Sequence, residues 1–248
     1  MKILLSDFDG TLCLHENGRS WYLDEDIEAI REFQKKGNLF GVCTGRPVRW
    51  LMRDMHPDIH PDIVVGSSGA GITDMKSGKT LLETVMPSSL VEELYRTVGE
   101  CRVFAVQSDG DIYYLADDKH PEPKVVSYDI VPKEHITGIS ICAGTPEKAA
   151  VMTEMINRKM GDRLAAFQNI DYLDIIPAGS SKGTGLAFVK ETYHSELTAG
   201  IGDSFNDIPM MDAADLAFTF HRSEMEVQEH ADHIVDSIAE AIAIMNRQ

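Results

Sequence analysis

Two aspartates stand almost at the start of the chain, in the stretch LLSDFDGTLC. Asp7 and Asp9 follow a short apolar run and are separated only by Phe8, so on an extended backbone both side chains point to the same side. Two carboxylates so placed can bind a hard cation such as Mg²⁺, or one can attack an electrophile while the other transfers a proton. They can also be loop acids that face water. Because like charges repel, a nearby cation is the expected partner of a buried pair.

Thr44 and Gly45, in CTGRP, end a second apolar run. A hydroxyl and free backbone amides at the start of a helix suit a phosphate oxygen, and glycine lets the backbone approach a ligand closely. Lys182, in GSSKG, lies at the predicted start of a helix, where the helix dipole disfavours a cation. An anion bound beside the lysine explains that position, and a solvated surface lysine is the alternative.

A third group of polar residues is GDSFND, near the C-terminal end. Asp203 is predicted to end a strand, and Asn206 and Asp207 follow in the turn behind it. Three oxygen-bearing side chains after a glycine are typical of a site for a hard metal ion and a phosphate. In open α/β sheets such sites lie at the carboxyl ends of the strands, where all of these clusters are predicted to meet.

Alternating strand and helix signals predict the elements that bring these residues together. KILLSD, NLFGVCTG and DIVVGSSG are predicted strands. DEDIEAIREFQKKG predicts a helix because Ile27, Ile30 and Phe33 share one face, acids crowd its first turn and Gly37 follows it. The last third of the chain repeats this rhythm, with helices at SKGTGLAFVKETY and DIPMMDAA and strands at LTAGIGD and DLAFTF. Strands that alternate with helices predict a parallel sheet with crossover helices.

The middle of the chain, from about Thr84 to Pro177, has a different pattern. It contains two units, each a helix followed by two β-rich runs, which are joined by SDG in the first unit and by NID in the second. An extra strand, ITGISICAG, precedes the second helix. This pattern predicts a small antiparallel sheet covered by helices on one face. The predicted fold class is therefore α/β: a Rossmann-like parallel-sheet core, residues 1–83 and 178–248, with an inserted α+β cap domain, residues 84–177.

Shorter patterns predict loops and helix starts. HENGRS and KHPEPK are predicted to be polar surface loops. Ser223 with Glu226 and Ser237 with Glu240 match the S-x-x-E capping box that begins many helices.

Charge and composition exclude several partners. The 248 residues include 23 basic and 40 acidic side chains, for a net charge of −17, and no block of Lys and Arg offsets it. Nucleic acid and an anionic membrane surface are therefore not expected partners. The four scattered cysteines form no C-x-x-C pair, and no apolar run approaches the ~20 residues of a membrane span. With no signal-peptide pattern at the start, we expect a cytoplasmic protein.

The ordered set DFDGT, TGR, SKG and GDSFND resembles the haloacid dehalogenase superfamily of aspartyl-nucleophile phosphatases. An insertion between the second and third motifs resembles the Cof-type branch, whose caps combine helices with an antiparallel sheet. The resemblance covers essentially the whole chain. It implies a hydrolase, a phosphoric monoester phosphatase that acts on a small phosphorylated metabolite such as a sugar phosphate through an aspartyl-phosphate intermediate.

Carried onto this sequence, the resemblance implies a role for each motif residue. Asp7 is implied to be the nucleophile, and Asp9 the group that protonates the leaving oxygen and then activates water. The residues implied to bind the phosphoryl group and the substrate are Thr44, Gly45, Arg46, Lys182 and Asn206. Mg²⁺ is the implied cofactor, and its implied ligands are Asp7, the carbonyl of Asp9 and Asp203, with Asp207 in or next to the shell.

Two stretches depart from the family pattern: GSSGAG stands where asparagine-glycine-alanine is usual, and DLAFTFHRSE lacks the usual small-residue run. Two other functions stay open from the sequence. A mutase or phosphotransferase moves the phosphoryl group to another sugar position on the same fold, and a catalytically quiet protein only binds a metabolite. The intact set of Asp7, Asp9, Lys182 and Asp203 argues against the quiet protein, because binding alone does not need a proton-transfer group.

Overall fold

The computed structural model describes residues 1–16, 18–119 and 125–248. Within these ranges the chain forms an eight-stranded sheet, a five-stranded sheet and a two-stranded hairpin. Of the predicted loop KHPEPK, only Lys119 belongs to the described residues, so the rest of that prediction lies outside them.

The first third of the chain builds one half of the large sheet. Its elements are β1 Lys2–Ser6, β2 Leu14–Glu16, β3 Arg19–Trp21, α1 Asp24–Lys35, β4 Leu39–Cys43, α2 Val48–Asp54, β5 Ile63–Gly66, β6 Gly71–Asp74 and β7 Lys79–Glu83. Helix α1 buries Ile27, Ile30 and Phe33, as its spacing predicts. The prediction of a loop at HENGRS is wrong, because β2 and β3 pair there as an antiparallel hairpin. Strands of three residues are too short to show a period of two in the sequence.

The middle of the chain forms the five-stranded sheet and two helices. Its elements are α3 Ser88–Val98, β8 Val103–Ser108, β9 Asp111–Asp117, β10 Ile136–Cys142, α4 Pro146–Met160, β11 Leu164–Asn169 and β12 Tyr172–Pro177. The strands are antiparallel in the order β11-β12-β10-β8-β9. The two helices pack on one face of this sheet, where Leu94 and Ile156 join Phe104 in a buried apolar cluster. The pattern of helix plus hairpin is thus as predicted, and the domain boundaries at residues 84 and 177 stay a prediction.

The last third of the chain completes the large sheet. Its elements are α5 Lys182–Tyr193, β13 Leu197–Ile201, α6 Ile208–Ala213, β14 Leu216–Phe220, α7 Met225–Gln228, β15 His233–Val235 and α8 Ile238–Met245. The hydroxyl of Ser237 accepts from the amide of Glu240 at 3.2 Å and caps α8, as predicted. The cap predicted at Ser223 is wrong: α7 begins one residue later, and the Ser223 hydroxyl lies 2.9 Å from that of Thr219.

The large sheet has the order β15-β14-β13-β1-β4-β5-β6-β7. All pairs from β15 to β5 are parallel, whereas β6 and β7 add an antiparallel edge that was not predicted. Apolar residues of β1 and β4 alternate between two buried clusters, one on each face of the sheet. The α/β fold is therefore confirmed. Its parallel order places the carboxyl ends of β1, β4 and β13 side by side.

None of the helices in the described part of the chain combines the length and hydrophobicity that crossing a bilayer takes. The four cysteines, Cys13, Cys43, Cys101 and Cys142, are all free thiols.

Candidate active site

Asp7 follows β1 directly, in the interior of the large sheet. Its backbone amide donates to the carbonyl of Ile201 in β13 at 2.9 Å, and only 6% of the residue is exposed. Burial raises the pKa of Asp7 well above its usual range, and the carboxylate of Asp207 raises this pKa further. Lys182 acts in the opposite direction without cancelling these effects. The carboxylate of Asp7 therefore lacks part of the positive charge that would stabilise its ionised form.

Lys182 is the first residue of α5 and is buried, so the alternative of a solvated surface lysine is wrong. Ser181 caps the helix: its hydroxyl accepts from the amide of Thr184 at 3.0 Å, and its own amide donates to the Thr184 hydroxyl at 2.9 Å. Nζ of Lys182 lies 2.7 Å from Oδ1 of Asp7 and 2.6 Å from Oδ1 of Asp207. Burial by itself lowers the pKa of Lys182, but the carboxylates of Asp207 and Asp7 outweigh burial and raise it. The lysine is thus held as a buried cation.

Asp203 and Asp207 complete an acidic cluster with Asp7. Oδ2 of Asp207 accepts from the backbone amides of Asp203 at 3.0 Å and Ser204 at 3.1 Å, which fixes the turn after β13. Oδ1 of Asp203 accepts from the hydroxyl of Thr11 at 2.7 Å. Burial, followed by the Asp207 carboxylate, raises the pKa of Asp203 to about 6. Two of the three acids therefore have raised pKa values.

This cluster fits a divalent metal ion. One oxygen from each of Asp7, Asp203 and Asp207 lies within 4.8 Å of the other two, and carboxylate oxygens are ligands that Mg²⁺ prefers. The raised pKa values of Asp7 and Asp203 indicate that one lysine does not balance the negative charge. Both oxygens of Asp207 already accept hydrogen bonds, so Asp7 and Asp203 are the better candidates for direct ligands. The side chain of Asp9 does not belong to this group.

Two glycines let the backbone lie against these carboxylates. Gly10 has φ of +83°, and a Cβ there would lie 2.7 Å from Oδ2 of Asp203. A Cβ at Gly202 would lie 2.3 Å from Cγ of Asp207. The glycines of DFDGT and GDSFND are therefore required by close packing of the two motifs against the acidic cluster.

Asp9 lies in the loop after β1 and is bound by two basic side chains. Arg46 donates to both carboxylate oxygens, Nε to Oδ2 and Nη2 to Oδ1, each at 2.7 Å. Nε2 of His15 lies 2.9 Å from Oδ1. Nη1 of Arg46 also contacts Asp54, and the guanidinium lies 5.1 Å from the ring centroid of Phe8. The structure thus joins Asp9 to Arg46, two residues singled out from the sequence, and adds His15, which was not.

Thr44 and Gly45 follow β4, the neighbour of β1. The buried hydroxyl of Thr44 accepts from the amide of Arg46 at 3.2 Å. The carbonyl of Gly45 accepts from Nε2 of Gln107 at 2.8 Å, and a Cβ at Gly45 would lie 2.7 Å from Oδ2 of Asp174. Because Gln107 and Asp174 belong to the five-stranded sheet, Gly45 is one of the places where that sheet contacts the motifs.

Asp174, in β12, is a buried carboxylate that was not predicted to be part of the site. Its Oδ2 accepts from the hydroxyl of Ser68 at 3.0 Å and from the amide of Asn206 at 3.2 Å. Burial raises the pKa of Asp174. Asn206, a predicted substrate contact, thus donates to the five-stranded sheet. The available signal was a single charge inside the apolar run YLDIIP, since a lone buried acid needs polar partners.

The segment GSSGAG, which departs from the family pattern, connects the two sheets and α5. Ser67 and Ser68 have φ of +47° and +49°, a region that costs non-glycine residues energy. The Ser67 hydroxyl lies 3.0 Å from that of Thr137 in β10. A Cβ at Gly69 would lie 2.0 Å from the carbonyl oxygen of Ser181. These contacts hold the strained turn beside the cap of α5.

A cavity of about 690 Å³ lies above the motifs, and we call it the chamber. Its lining comes from both sheets, with Asp9, Arg46 and Asp203 on one side and Gln107, Ser140 and Asp174 on the other. Asp7 itself is not among the lining residues, and 8% of its side chain is exposed. The predicted site residues that lie deeper, Thr44, Lys182, Asn206 and Asp207, are all buried.

Comparisons with known proteins show the family to which the chain belongs. The family described as haloacid dehalogenase-like hydrolase matches residues 4–246. An HMP-PP phosphatase of Klebsiella pneumoniae is 20% identical over 255 residues, which cover 94% of this chain and 89% of that protein.

Two solved structures share the fold. One is a protein from Bacteroides thetaiotaomicron, described among phosphatases of the haloalkanoate (HAD) superfamily. It has a TM-score of 0.78 at 21% identity, and the match covers 100% of this chain and 94% of that chain. The other is a sugar phosphatase of HAD subclass IIB. It has a TM-score of 0.75 at 19% identity, and the match covers 100% of this chain and 98% of that chain. The family match spans all four motifs. This chain therefore belongs to the haloacid dehalogenase-like hydrolase family.

Proposed function

We propose that this hydrolase is a Mg²⁺-dependent phosphatase, which removes the phosphoryl group from a sugar phosphate through an aspartyl-phosphate on Asp7. The observation that carries the proposal is the buried contact of 2.7 Å between Asp7 and Lys182, beside two further carboxylates. Phosphate monoesters are among the slowest biological compounds to hydrolyse, with accelerations of up to ~10²¹-fold required. A nucleophile set beside a buried ammonium, in a carboxylate cluster that would hold Mg²⁺, meets that requirement.

Asp7 is the nucleophile in this proposal. One of its carboxylate oxygens attacks phosphorus and forms a P–O bond while the ester P–O bond breaks. The ammonium of Lys182 stays beside Asp7 and stabilises the charge on the phosphoryl oxygens. The hydroxyl of Thr44 and the side-chain amide of Asn206, which follow the two strands that flank β1, donate to the same oxygens.

Asp9 transfers the proton. It gives a proton to the leaving oxygen and then, as a carboxylate, takes one from the water that attacks phosphorus. That attack breaks the bond to Asp7, releases phosphate and restores the carboxylate of Asp7 and the protonated carboxyl of Asp9. Asp9 lines the chamber, where the leaving group has to be. Arg46 holds the orientation of the Asp9 carboxylate.

Mg²⁺ would be held by Asp7, Asp203 and the carbonyl of Asp9, with Asp207 behind them. When bound, the ion supplies positive charge that stabilises the phosphoryl oxygens in the transition state. The substrate class is supported by the chamber, because about 690 Å³ falls within the range of small-molecule sites. It is also supported by the similarity in fold to a sugar phosphatase.

Phosphate release tests this function. We expect release from p-nitrophenyl phosphate and from members of a panel of sugar, cofactor and nucleotide monoesters with Mg²⁺, and none with EDTA. Asp7→Asn removes the nucleophile and abolishes phosphate release. Asp58→Asn makes the same change in charge at an exposed residue and leaves phosphate release intact. Turnover by Asp7→Asn would refute the proposed nucleophile. An isomerised phosphosugar in place of free phosphate would identify a mutase, and tight binding of one ester without turnover a binding protein.

A further inference from the structure

The uncovered face of the five-stranded sheet forms the roof of the chamber. Its helices pack on the opposite face, so polar residues of three neighbouring strands line the chamber, namely Gln107 of β8, Ser140 of β10 and Asp174 of β12. The roof faces Asp9, Arg46 and Asp203 across the chamber, so the leaving group that Asp9 protonates would extend toward it. Its chemistry therefore bears on which alcohol is attached to the phosphate.

Gln107 presents an acceptor without a donor. It is 4% exposed, and its Nε2 donates to the carbonyl of Gly45 at 2.8 Å and to the Ser140 hydroxyl at 3.3 Å. These bonds fix the orientation of the amide. Its Oε1 has no hydrogen-bond partner among the described residues. A buried carbonyl oxygen without a donor is costly. This oxygen is closed off from the chamber in the structure, so a substrate hydroxyl would satisfy it only where neighbouring roof residues move aside.

Asp174 offers a second acceptor beside it. The hydrogen bonds from Ser68 and Asn206 both go to Oδ2, which leaves Oδ1 to accept from a ligand. The donors are neutral, so the negative charge of Asp174 has no direct cationic partner in the described part of the chain. The roof therefore favours hydrogen-bond donors and repels anions.

The rest of the lining does not supply a free cation either. Across residues 1–16, 18–119 and 125–248, the chamber is lined by one arginine and one histidine against five aspartates, Asp9, Asp54, Asp171, Asp174 and Asp203. The guanidinium of Arg46 is already paired with Asp9 and Asp54. Both ring nitrogens of His15 are engaged, with Asp9 and Ser20. Outside the phosphate site, a second negative group on the substrate would meet carboxylates and, among the lining residues that the structure describes, no unpaired cation.

We propose that the chamber selects a leaving group that is rich in hydroxyls and uncharged, with Gln107 and Asp174 as the acceptors that bind it, and that it rejects substrates carrying a carboxylate or a second phosphate. This inference rests on the proposed phosphatase function. It adds to that function a preference for substrates whose leaving group is uncharged. Sites built to accept from a hydroxyl discriminate strongly against analogues that cannot donate.

Two open-chain esters test the selection. Sorbitol 6-phosphate and 6-phosphogluconate have the same carbon chain and differ at carbon 1, a hydroxymethyl group in one and a carboxylate in the other. We expect kcat/KM for 6-phosphogluconate to be about 100-fold lower, because like charges that face each other cost several kcal/mol. Equal kcat/KM values for the two esters would overturn the inference.

Two variants assign the selection to the roof. Asp174→Asn removes the repelling charge, so we expect the preference for sorbitol 6-phosphate to fall at least about tenfold. Asp212→Asn makes the same change in net charge on an exposed residue paired with His230, and should leave the preference unchanged. Gln107→Leu should lower kcat/KM for sorbitol 6-phosphate about tenfold more than for p-nitrophenyl phosphate, which has no hydroxyl. A preference that Asp174→Asn does not change would contradict the role of the roof.

Binding separates this inference from the proposed function. Calorimetric titration of the Asp7→Asn variant with the two esters makes the same comparison without turnover. If wild type releases phosphate from p-nitrophenyl phosphate but binds and hydrolyses both esters alike, only the selection is refuted. If no ester is hydrolysed and sorbitol 6-phosphate still binds more tightly than 6-phosphogluconate, the selection holds and the phosphatase proposal fails.

Discussion

The guanidinium of Arg46 forms a two-point ion pair with the carboxylate of Asp9, with two N–O distances of 2.7 Å. A planar fork of this kind fixes the plane and position of the carboxylate, whereas lysine offers a single charged point. In the proposed reaction, Asp9 must be aimed at the leaving oxygen. Arg46 is therefore expected to determine how well Asp9 transfers its proton.

Arg46→Lys should lower kcat about 10- to 100-fold with a sugar phosphate, the range typical of a misplaced acid. The loss should be smaller with p-nitrophenyl phosphate, because its leaving oxygen needs little protonation. Asp54→Asn is the matched control: Asp54 pairs with the same guanidinium but is 55% exposed, so we expect less than about a threefold change. Equal losses with both esters would show that Arg46 acts on binding and not on Asp9.

Gly10 and Gly37 form a second matched pair, because both have φ of +83°. A Cβ at Gly37 meets no atom within 4 Å, whereas one at Gly10 would lie 2.7 Å from Oδ2 of Asp203. Gly37→Ala should lower the free energy of unfolding by about 1–2 kcal/mol, the cost of the left-handed conformation, and leave kcat unchanged. Gly10→Ala should show the same loss and also weaken Mg²⁺ activation at least about tenfold. Titration of activity with Mg²⁺ measures the difference, and equal activation of both variants would exclude a role for Gly10 in placing Asp203.

How far the sequence predicts this site depends on how local each contact is. Asp7 and Asp203 follow strands that pair in parallel, so topology alone brings their motifs together. Lys182 was identified by an unfavourable position at a helix start, which its two carboxylate contacts explain. The contact between Ser68 and Asp174 spans 106 residues and depends on how the five-stranded sheet lies against the motifs. No spacing or periodicity encodes that placement, so the roof of the chamber was not predicted.

Lys182 also contributes to stability, because it is the cation between two buried carboxylates. Lys182→Met leaves Asp7 and Asp207 without it, so we expect a loss of about 3–5 kcal/mol in the free energy of unfolding, and no turnover. Adding Asp207→Asn removes one of the stranded charges and should restore part of the stability but none of the activity. Chemical denaturation of the single and double variants measures their stability, and phosphate release measures their activity. If the double variant were less stable than Lys182→Met, repulsion between the acids would not be the cause of the loss.

Asp26 lies on α1, fifteen residues after Thr11, and is buried. Its Oδ1 accepts from the amide of Ala239 in α8 at 2.7 Å, which joins the two helices. Burial raises the pKa of Asp26 from 3.8 to about 6, and the hydrogen bond from Ala239 only partly opposes it. Below pH 3.8 the folded and unfolded states are both protonated, so the residue has no effect there. Between pH 3.8 and about 6 the folded state keeps a proton that the unfolded state has lost, and stability falls as pH rises.

Asp26→Asn keeps an oxygen that can accept from Ala239 and removes the charge. We expect the variant to be more stable than wild type by about 3 kcal/mol above pH 6, since one pKa unit corresponds to 1.36 kcal/mol, and by only about 0.5 kcal/mol at pH 4. Asp24→Asn, an exposed residue in the same helical turn, should change stability by less than about 0.5 kcal/mol at any pH. Urea unfolding of the three proteins from pH 4 to pH 8 measures this difference. A gain for Asp26→Asn that did not depend on pH would mean that packing, and not the buried charge, limits stability between α1 and α8.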